Sequence, residues 1–149
     1  MRQRRLNLDD YLPYLVNRVG VALALHFGKD VLARYGLSIE MWRVLVVLSS
    51  NGGQRQVDLG GLTSIDASTL SRMVTRLVRL GLVARRRSTA DTREVEVALT
   101  AKGRAALRRL IPIARRYEAI AATGISGAEL AALKRALRLM YRNLSPQSG

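Results

Sequence analysis

The chain has 149 residues, 48% of them hydrophobic, and a net charge of +14, which suits one domain with a real core and makes nucleic acid the first candidate partner. It has no cysteine and one histidine, so disulfides, zinc fingers and thiol redox sensing are excluded and no metal or other cofactor is expected. No apolar run is long enough to span a bilayer and the first residues lack the core of a signal peptide, which predicts a cytoplasmic protein without a membrane partner.

The first predicted element is one long helix over residues 10–35. Apolar side chains recur at helical spacing, Pro13 falls in the first turn, where proline is tolerated, and Gly36 supplies a stop. Between residues 19 and 27 the run VGVALALHF is apolar on nearly every side. Such a helix exposes more apolar surface than one small domain would cover, which predicts burial against a second chain.

Two further helices are predicted in the middle of the chain. The first runs from Ser38 through Leu48 and is broken by SSNGG; the short segment QVDLGGLTSI follows it. The second covers residues 67–80, with Asp66 as its N-cap and Gly81 in a Schellman-type end. Its apolar residues share one face, and the outer face is polar and basic without an acid. That outer face carries Ser68, Thr69, Ser71, Arg72, Thr75, Arg76 and Arg79.

The next stretch, VARRRSTADTREVEVAL over residues 83–99, predicts two β-strands joined by a turn. Four arginines crowd it, and Asp91 stands two positions before Arg93, close enough to accept a hydrogen bond from its guanidinium. Arg85 and Arg87 are expected on one strand face and Arg86 on the other. A helix, a turn, a basic helix and a hairpin, in that order, predict a winged helix-turn-helix.

Two amphipathic helices complete the chain. Thr100 is the predicted cap of the first, which should kink at Pro112. Ser126-Gly127-Ala128-Glu129 has the spacing of a capping box and starts the second, which should end before Pro146.

The runs GLSIEMWRVLVVL and STLSRMVTRLVRLGLVARRRSTADTREVEVALTAKGR, set between long helices, resemble the MarR family of bacterial transcriptional regulators over nearly the whole chain. The most specific part is a GLV-R…D-x-R…V-x-LT-x-G pattern, here Gly81, Leu82, Val83, Arg85, Asp91, Arg93, Val97, Leu99, Thr100 and Gly103. The resemblance implies a mainly α fold (α+β winged helix-turn-helix) with a small hairpin wing. It implies a helical dimerisation region at 1–36 and 101–149 and a DNA-binding domain at 37–100. The pair Gly60-Gly61 departs from the family pattern, where better helix formers are usual.

The resemblance also implies a function. The chain would be a repressor, not an enzyme, that binds a near-palindromic operator in double-stranded DNA as a homodimer and lies with the nucleoid. Arg93 would insert into the minor groove, and Asp91 would orient it. The expected DNA-contacting residues are Ser68, Thr69, Ser71, Arg72, Thr75, Arg76, Arg85, Arg87, Asp91 and Arg93.

The family further implies an effector, here a small aromatic carboxylate or an aryl-CoA thioester, between the long N-terminal helix and the winged domain. Apolar walls with one or two cations suit such an anion. The expected binding residues are Tyr14, Asn17, Arg18, His26, Trp42, Arg43 and Tyr117. Each has a competing structural interpretation, since tryptophan is more often core and arginine more often ion-paired.

Two other classes of protein remain open. A basic architectural or RNA-binding protein without a small-molecule ligand would share the +14 charge, although it would need neither the D-x-R wing nor a long apolar helix. An enzyme is disfavoured because no Ser/His/Asp set, phosphate loop or carboxylate pair stands out.

Overall fold

The structure, a computed structural model that describes residues 5–145, confirms the mainly α winged helix-turn-helix fold. The helices are α1 (Leu12–Asp30), α2 (Ile39–Asn51), α3 (Gln56–Thr63), α4 (Ala67–Arg79), α5 (Ala101–Ala121) and α6 (Gly127–Leu144), with short 3-10 helices at Leu8–Asp10 and Leu32–Tyr35. Strands β1 (Val83–Arg87) and β2 (Val95–Leu99) form one antiparallel hairpin between α4 and α5. No helix in the described part of the chain is long and apolar enough to cross a membrane. The predicted stop at Pro146 lies outside the described residues.

The single helix predicted over residues 10–35 is wrong, because the chain leaves helical geometry at both ends. Tyr11 is extended (φ −99°, ψ 106°), and Val31 departs from the helix at φ −120°. The turn at Val31 allows Leu32 to enter the core, where it is fully buried. Gly36 then adopts φ 69°, a left-handed conformation that glycine tolerates best, and stops the 3-10 helix as predicted. Helical periodicity alone could not distinguish this break from a continuous helix.

The core lies in the winged domain, the segment from Leu37 to Thr100, beneath the amino-terminal half of α5. Its completely or nearly completely buried side chains come from α2, α3, α4 and α5, and include Val44, Leu45, Leu59, Leu70, Val74, Leu77 and Leu110. Helix α2 runs to Asn51, three residues past the predicted end, and stops at Gly52 (φ 78°). These helices fix the position of α4, because its buried stripe leaves only one face outward.

Both ends of α4 are built as predicted. At the start, the Asp66 carboxylate accepts a hydrogen bond of 2.9 Å from the Thr69 backbone N–H. At the end, Gly81 has φ 72°. The Gly81 N–H donates to the Val78 carbonyl at 2.9 Å and the Leu82 N–H to the Leu77 carbonyl at 3.0 Å. This bond pair defines a Schellman motif, and β1 follows it directly.

The junction between α4, the hairpin and α5 is tightly packed. The Thr100 hydroxyl accepts from the Gly103 N–H at 3.0 Å and donates to the Gly81 carbonyl at 2.6 Å, so it caps α5 and anchors the end of α4. A Cβ at Gly103 would lie 2.1 Å from the Leu82 carbonyl oxygen, which explains the glycine. A third extended segment meets the hairpin at Gln54, which pairs with Val97.

The terminal helices bury little. Helix α5 continues through Pro112. The kink expected at this proline stays a prediction. The capping box of α6 is confirmed, with the Ser126 and Glu129 bonds both present. Of the described residues, α1 buries Phe27 alone and α6 buries none. Val19 in the predicted apolar run is 55% exposed in the single chain.

Candidate nucleic-acid interface

The outer face of α4 gathers the predicted polar and basic residues. Ser68, Ser71, Arg72, Arg76 and Arg79 are exposed and Thr69 and Thr75 are half-buried. Ser71, Thr75 and the three arginines line one shallow concave surface. None of the three arginines forms an ion pair within residues 5–145. The face is therefore a concentrated positive charge with hydroxyl donors between the guanidinium groups, suited to phosphates and base edges.

Asp66, the acidic residue that precedes α4, caps that helix. Hydrogen bonds from the Thr69 hydroxyl, the Thr69 backbone N–H and the Ser68 hydroxyl lower the pKa of Asp66 to about 2. Asp66 is therefore ionised at neutral pH and places negative charge at the positive end of the helix dipole. Asp66 forms no ion pair with the arginines of α4 in the described part of the chain.

The wing tip holds the predicted Asp91–Arg93 pair. The Arg93 Nε lies 3.2 Å from Asp91 Oδ1, the Nη2 lies 3.4 Å from Oδ2, and the Arg93 backbone N–H donates to Oδ1 at 3.0 Å. The backbone bond and then the guanidinium lower the pKa of Asp91. The Arg93 side chain is nevertheless 90% exposed. The carboxylate thus limits the directions of a cation that points into solvent, which confirms the predicted geometry.

The other wing arginines divide by strand face, as predicted. Arg86 lies opposite Glu96 in the hairpin, and its Nε is 2.8 Å from Glu96 Oε1, a carboxylate that is nearly buried. The Arg87 Nη1 donates to the Thr92 carbonyl at 3.1 Å and braces the loop. Arg85 is exposed and forms no ion pair with any described residue. Arg86 is thus mainly structural, whereas Arg85 and Arg93 present their charge outward.

One further contact, which sequence reasoning missed, positions the wing. Arg55, which precedes α3, bonds to Asp58 (Nε–Oδ2 2.7 Å) and reaches Glu94 in the wing (Nη1–Oε1 3.2 Å). Hydrogen bonding to Asp58 is the main reason that the pKa of Arg55 is raised. Arg55 and Glu94 lie 39 positions apart in the sequence. The Gln54–Val97 pairing lies next to this contact, and a contact between such distant residues has no local motif that could reveal it.

A cleft of about 340 Å³ between α1, α2 and α5 matches part of the predicted effector site. Trp42, Arg43 and Tyr117 line it. Phe27 forms its floor, with ring centroids 5.2 Å from Trp42 and 5.7 Å from Tyr117. Glu118 also lines the cleft, although its carboxylate pairs with Lys134 of α6. The cleft is therefore aromatic and contains one arginine without an ion pair among the described residues.

The other four predicted effector residues do not line this cleft. The Arg18 guanidinium sits 5.9 Å from the centre of the Tyr14 ring, and Asn17 is exposed beside them on α1. His26 lines a separate surface pocket with Tyr117 and Ile120, and its Nδ1 is 3.8 Å from Asp30 Oδ2. Three of the seven predicted residues are thus brought together within one chain.

Comparison with known proteins gives a consistent result. A family model described as MarR family matches residues 37–95. The HTH-type transcriptional repressor Rv2887 of Mycobacterium tuberculosis is 30% identical over 111 residues, 74% of this chain and 79% of the relative. A crystal structure of a MarR family transcriptional regulator from Silicibacter pomeroyi is 33% identical with a TM-score of 0.83, covering 98% of this chain and 100% of that one. Bordetella bronchiseptica BpsR, whose DNA binding is regulated by 6-hydroxynicotinic acid, is 27% identical with a TM-score of 0.79, covering 92% and 97%.

Proposed function

Because the chain belongs to the MarR family of transcriptional regulators, we propose that it is a ligand-responsive repressor that binds a near-palindromic operator as a homodimer. The observation that carries the proposal is the pairing of two outward positive features on one rigid domain. One is the α4 face, whose arginines have no ion pair in the described chain, and the other is Arg93, held by Asp91 at the wing tip. Two such features suit a major groove and the adjoining minor groove.

In this arrangement α4 enters the major groove. Arg72 and Arg76 reach guanine acceptors or phosphates, and the hydroxyls of Ser68, Thr69, Ser71 and Thr75 bond to the backbone and to base edges. Arg93 enters the minor groove, where negative potential is concentrated. Arg85 contacts flanking phosphates, and Arg87 and Asp91 hold the wing loop in shape.

The proposed dimer uses residues 1–36 and 101–149, and each winged domain spans residues 37–100. Support comes from apolar side chains that the single chain leaves in water, among them Leu15, Val19, Val21, Leu25, Ile120 and Leu139. Exposed large apolar side chains in such number are typical of a surface that another protein chain covers. A two-fold dimer would present two α4 helices to half-sites about 34 Å apart.

The proposed effector is a small aromatic carboxylate or its CoA thioester, bound in the cleft of Trp42, Arg43 and Tyr117. The rings provide apolar walls and Arg43 provides the cation for a carboxylate. The regulation of BpsR by 6-hydroxynicotinic acid supports this class of ligand. Because the cleft joins α1 and α5 to α2, a ligand there would tilt the winged domain relative to the dimer helices. The half-sites would then no longer match the operator.

Duplexes enriched from a random pool by the purified protein provide the test. We expect a symmetric consensus and a fall in log affinity with log salt of about 0.9 per neutralised phosphate. Aromatic carboxylates should change the fluorescence of Trp42, the one tryptophan, and release the duplex, and Arg43→Gln should weaken both effects. Enrichment without a consensus, or preference for single-stranded RNA, would instead favour a basic architectural or RNA-binding protein. A protein that bound its operator identically with every ligand would be a repressor without this sensor.

A further inference from the structure

A second pocket, of about 280 Å³, lies against the carboxyl end of α4 and the amino-terminal half of α5. Its apolar walls are formed by Tyr35, Leu37, Leu80 and Leu82. Helix α5 supplies Lys102 and Arg109 at its edges, with Ala105 and Ala106 between them. Because the two basic residues are seven positions apart, they share one helix face about 10 Å from one another along the axis. The alanines leave the space between them open.

The charge of this pocket differs from that of the effector cleft. No acidic residue lines it, and neither Lys102 nor Arg109 forms an ion pair within residues 5–145. The effector cleft instead contains one arginine and one glutamate. Two cations above an apolar floor favour an organic anion with an apolar body, because the anion satisfies the cations while the body displaces water from leucine and alanine surface.

Lys102 already bonds to a backbone carbonyl at the end of α4, the helix proposed to enter the major groove. Its Nζ donates a hydrogen bond of 2.9 Å to the Leu80 carbonyl, which is the C-cap of α4. This contact puts a positive charge at the negative end of the helix dipole. The next residue, Gly81, begins the turn into β1 and is bonded to Thr100. One lysine therefore touches the link between α4 and the wing.

We propose that the pocket of Leu80, Leu82, Lys102, Ala105 and Arg109 is a second regulatory site, which binds an aromatic or similarly bulky carboxylate. The carboxylate draws the Lys102 ammonium away from the Leu80 carbonyl and so loosens the end of α4 and the start of the wing. The site differs from the effector cleft in its residues and in its mode of action, since it alters one winged domain without changing the dimer. The effect of this site on DNA binding rests on the proposed function, whereas the binding of a carboxylate in the pocket does not.

Calorimetry with 1-naphthoate as the probe tests occupancy without DNA. The background is Arg43→Gln, which weakens the effector cleft. We expect Arg109→Gln, and Ala105→Leu, which fills the pocket without changing its charge, to weaken binding at least tenfold. Arg108→Gln, an equal charge change outside the pocket, should leave affinity unchanged. The site would be overturned if all of these proteins bound 1-naphthoate with equal affinity, or if the neutral 1-naphthamide bound equally well. Absence of binding at millimolar 1-naphthoate would also overturn it.

The coupling to DNA has its own readout in the same proteins. In Arg43→Gln protein, saturating 1-naphthoate should lower affinity for the enriched duplex at least fivefold, and the added Ala105→Leu change should abolish that effect. Lys102→Gln, which keeps a donor for Leu80 but loses the charge, should weaken the response as well. Binding of 1-naphthoate with unchanged DNA affinity would overturn the regulatory role and leave the site standing. If the protein bound no duplex at all, the proposed function would fail, while calorimetry would still decide the site.

Discussion

The winged domain and the terminal helices differ in how much of their apolar surface is buried. In the winged domain, leucine and valine side chains from α2, α3 and α4 are almost fully buried, and the surface is polar and basic. In α1 and α6, Phe27 is the only buried side chain in the described residues, and Val19 and Leu25 are more than half exposed. The winged domain therefore holds most of the buried core, whereas α1 and α6 leave large apolar side chains exposed in the single chain.

The difference in burial suits the two regions to different roles, one in DNA recognition and the other in assembly. A domain with its own core can hold α4 and the wing in fixed geometry, which recognition of DNA requires. Helices α1 and α6 bury little within one chain, so they suit assembly with a partner and can respond when a ligand changes how they pack. The effector cleft, with Trp42 from α2 and Tyr117 from α5, lies where the two regions meet.

The largest effect should come from the core of the winged domain. Leu45→Ala removes a fully buried side chain and should lower the free energy of unfolding by about 2–5 kcal/mol. Val57→Ala, on α3 in the same domain, removes a side chain that is 74% exposed, and should change it by less than about 0.5 kcal/mol. Urea denaturation of both variants measures the difference. Equal costs would mean that the core is not where the structure places it.

The terminal helices should respond through assembly. Val19→Glu would bury an unpartnered carboxylate at the proposed contact, so the dimer dissociation constant should rise at least a hundredfold, about 2.7 kcal/mol. Lys29→Gln, an equal charge change on the same helix, should have little effect. Sedimentation equilibrium measures the constant, and circular dichroism confirms that the variants are folded. A Val19→Glu protein that dimerises normally would move the interface away from α1.

The next effect concerns the wing. Arg93→Ala should weaken operator binding by about 1–3 kcal/mol and reduce the salt slope by about one. Asp91→Ala should cause a smaller loss without changing the slope, because it removes the group that orients Arg93 and not the cation itself. Arg86→Ala should cost less than Arg93→Ala, since its guanidinium pairs with Glu96. Equal losses in all three titrations would mean that the wing acts as a diffuse positive patch.

The smallest effect is the pH dependence of the α4 cap. Because the pKa of Asp66 in the folded protein is about 2, below the ordinary value of 3.8 for an aspartate, the carboxylate contributes stability above about pH 4. That contribution is lost as the pH falls from about 4 towards 2. Asp66→Asn keeps an acceptor without the titration, so its melting temperature should fall less than that of the wild type over this interval. If the melting temperatures of the two proteins fell in parallel with pH, the ionised Asp66 carboxylate would not stabilise the cap.

Local features could be predicted from the sequence because neighbouring residues determine them. The caps at Asp66, Gly81 and Ser126 depend on contacts within a few residues, and so does the bond between Asp91 and Arg93. A residue pattern that spans one turn of chain contains the whole interaction. The same reasoning supported the fold, because the order of helices and hairpin is a property of the chain itself.

Contacts between distant elements could not be predicted in this way. The Arg55–Glu94 pair depends on how β2 meets Gln54, and the break at Val31 depends on a core that Leu32 must enter. The predicted effector residues were divided for the same reason. Phe27 lines the cleft, whereas His26, the preceding residue on α1, lines a different pocket.

Sedimentation velocity of the protein with its enriched duplex tests the central claim most directly, that two winged domains joined by the terminal helices bind one DNA site. The expected result is a complex of two chains on each symmetric duplex, formed from a dimer that already exists without DNA. A duplex with one half-site destroyed should bind much more weakly, because the second domain would lose its contacts. A wild-type monomer that binds a single half-site with full affinity would contradict the account.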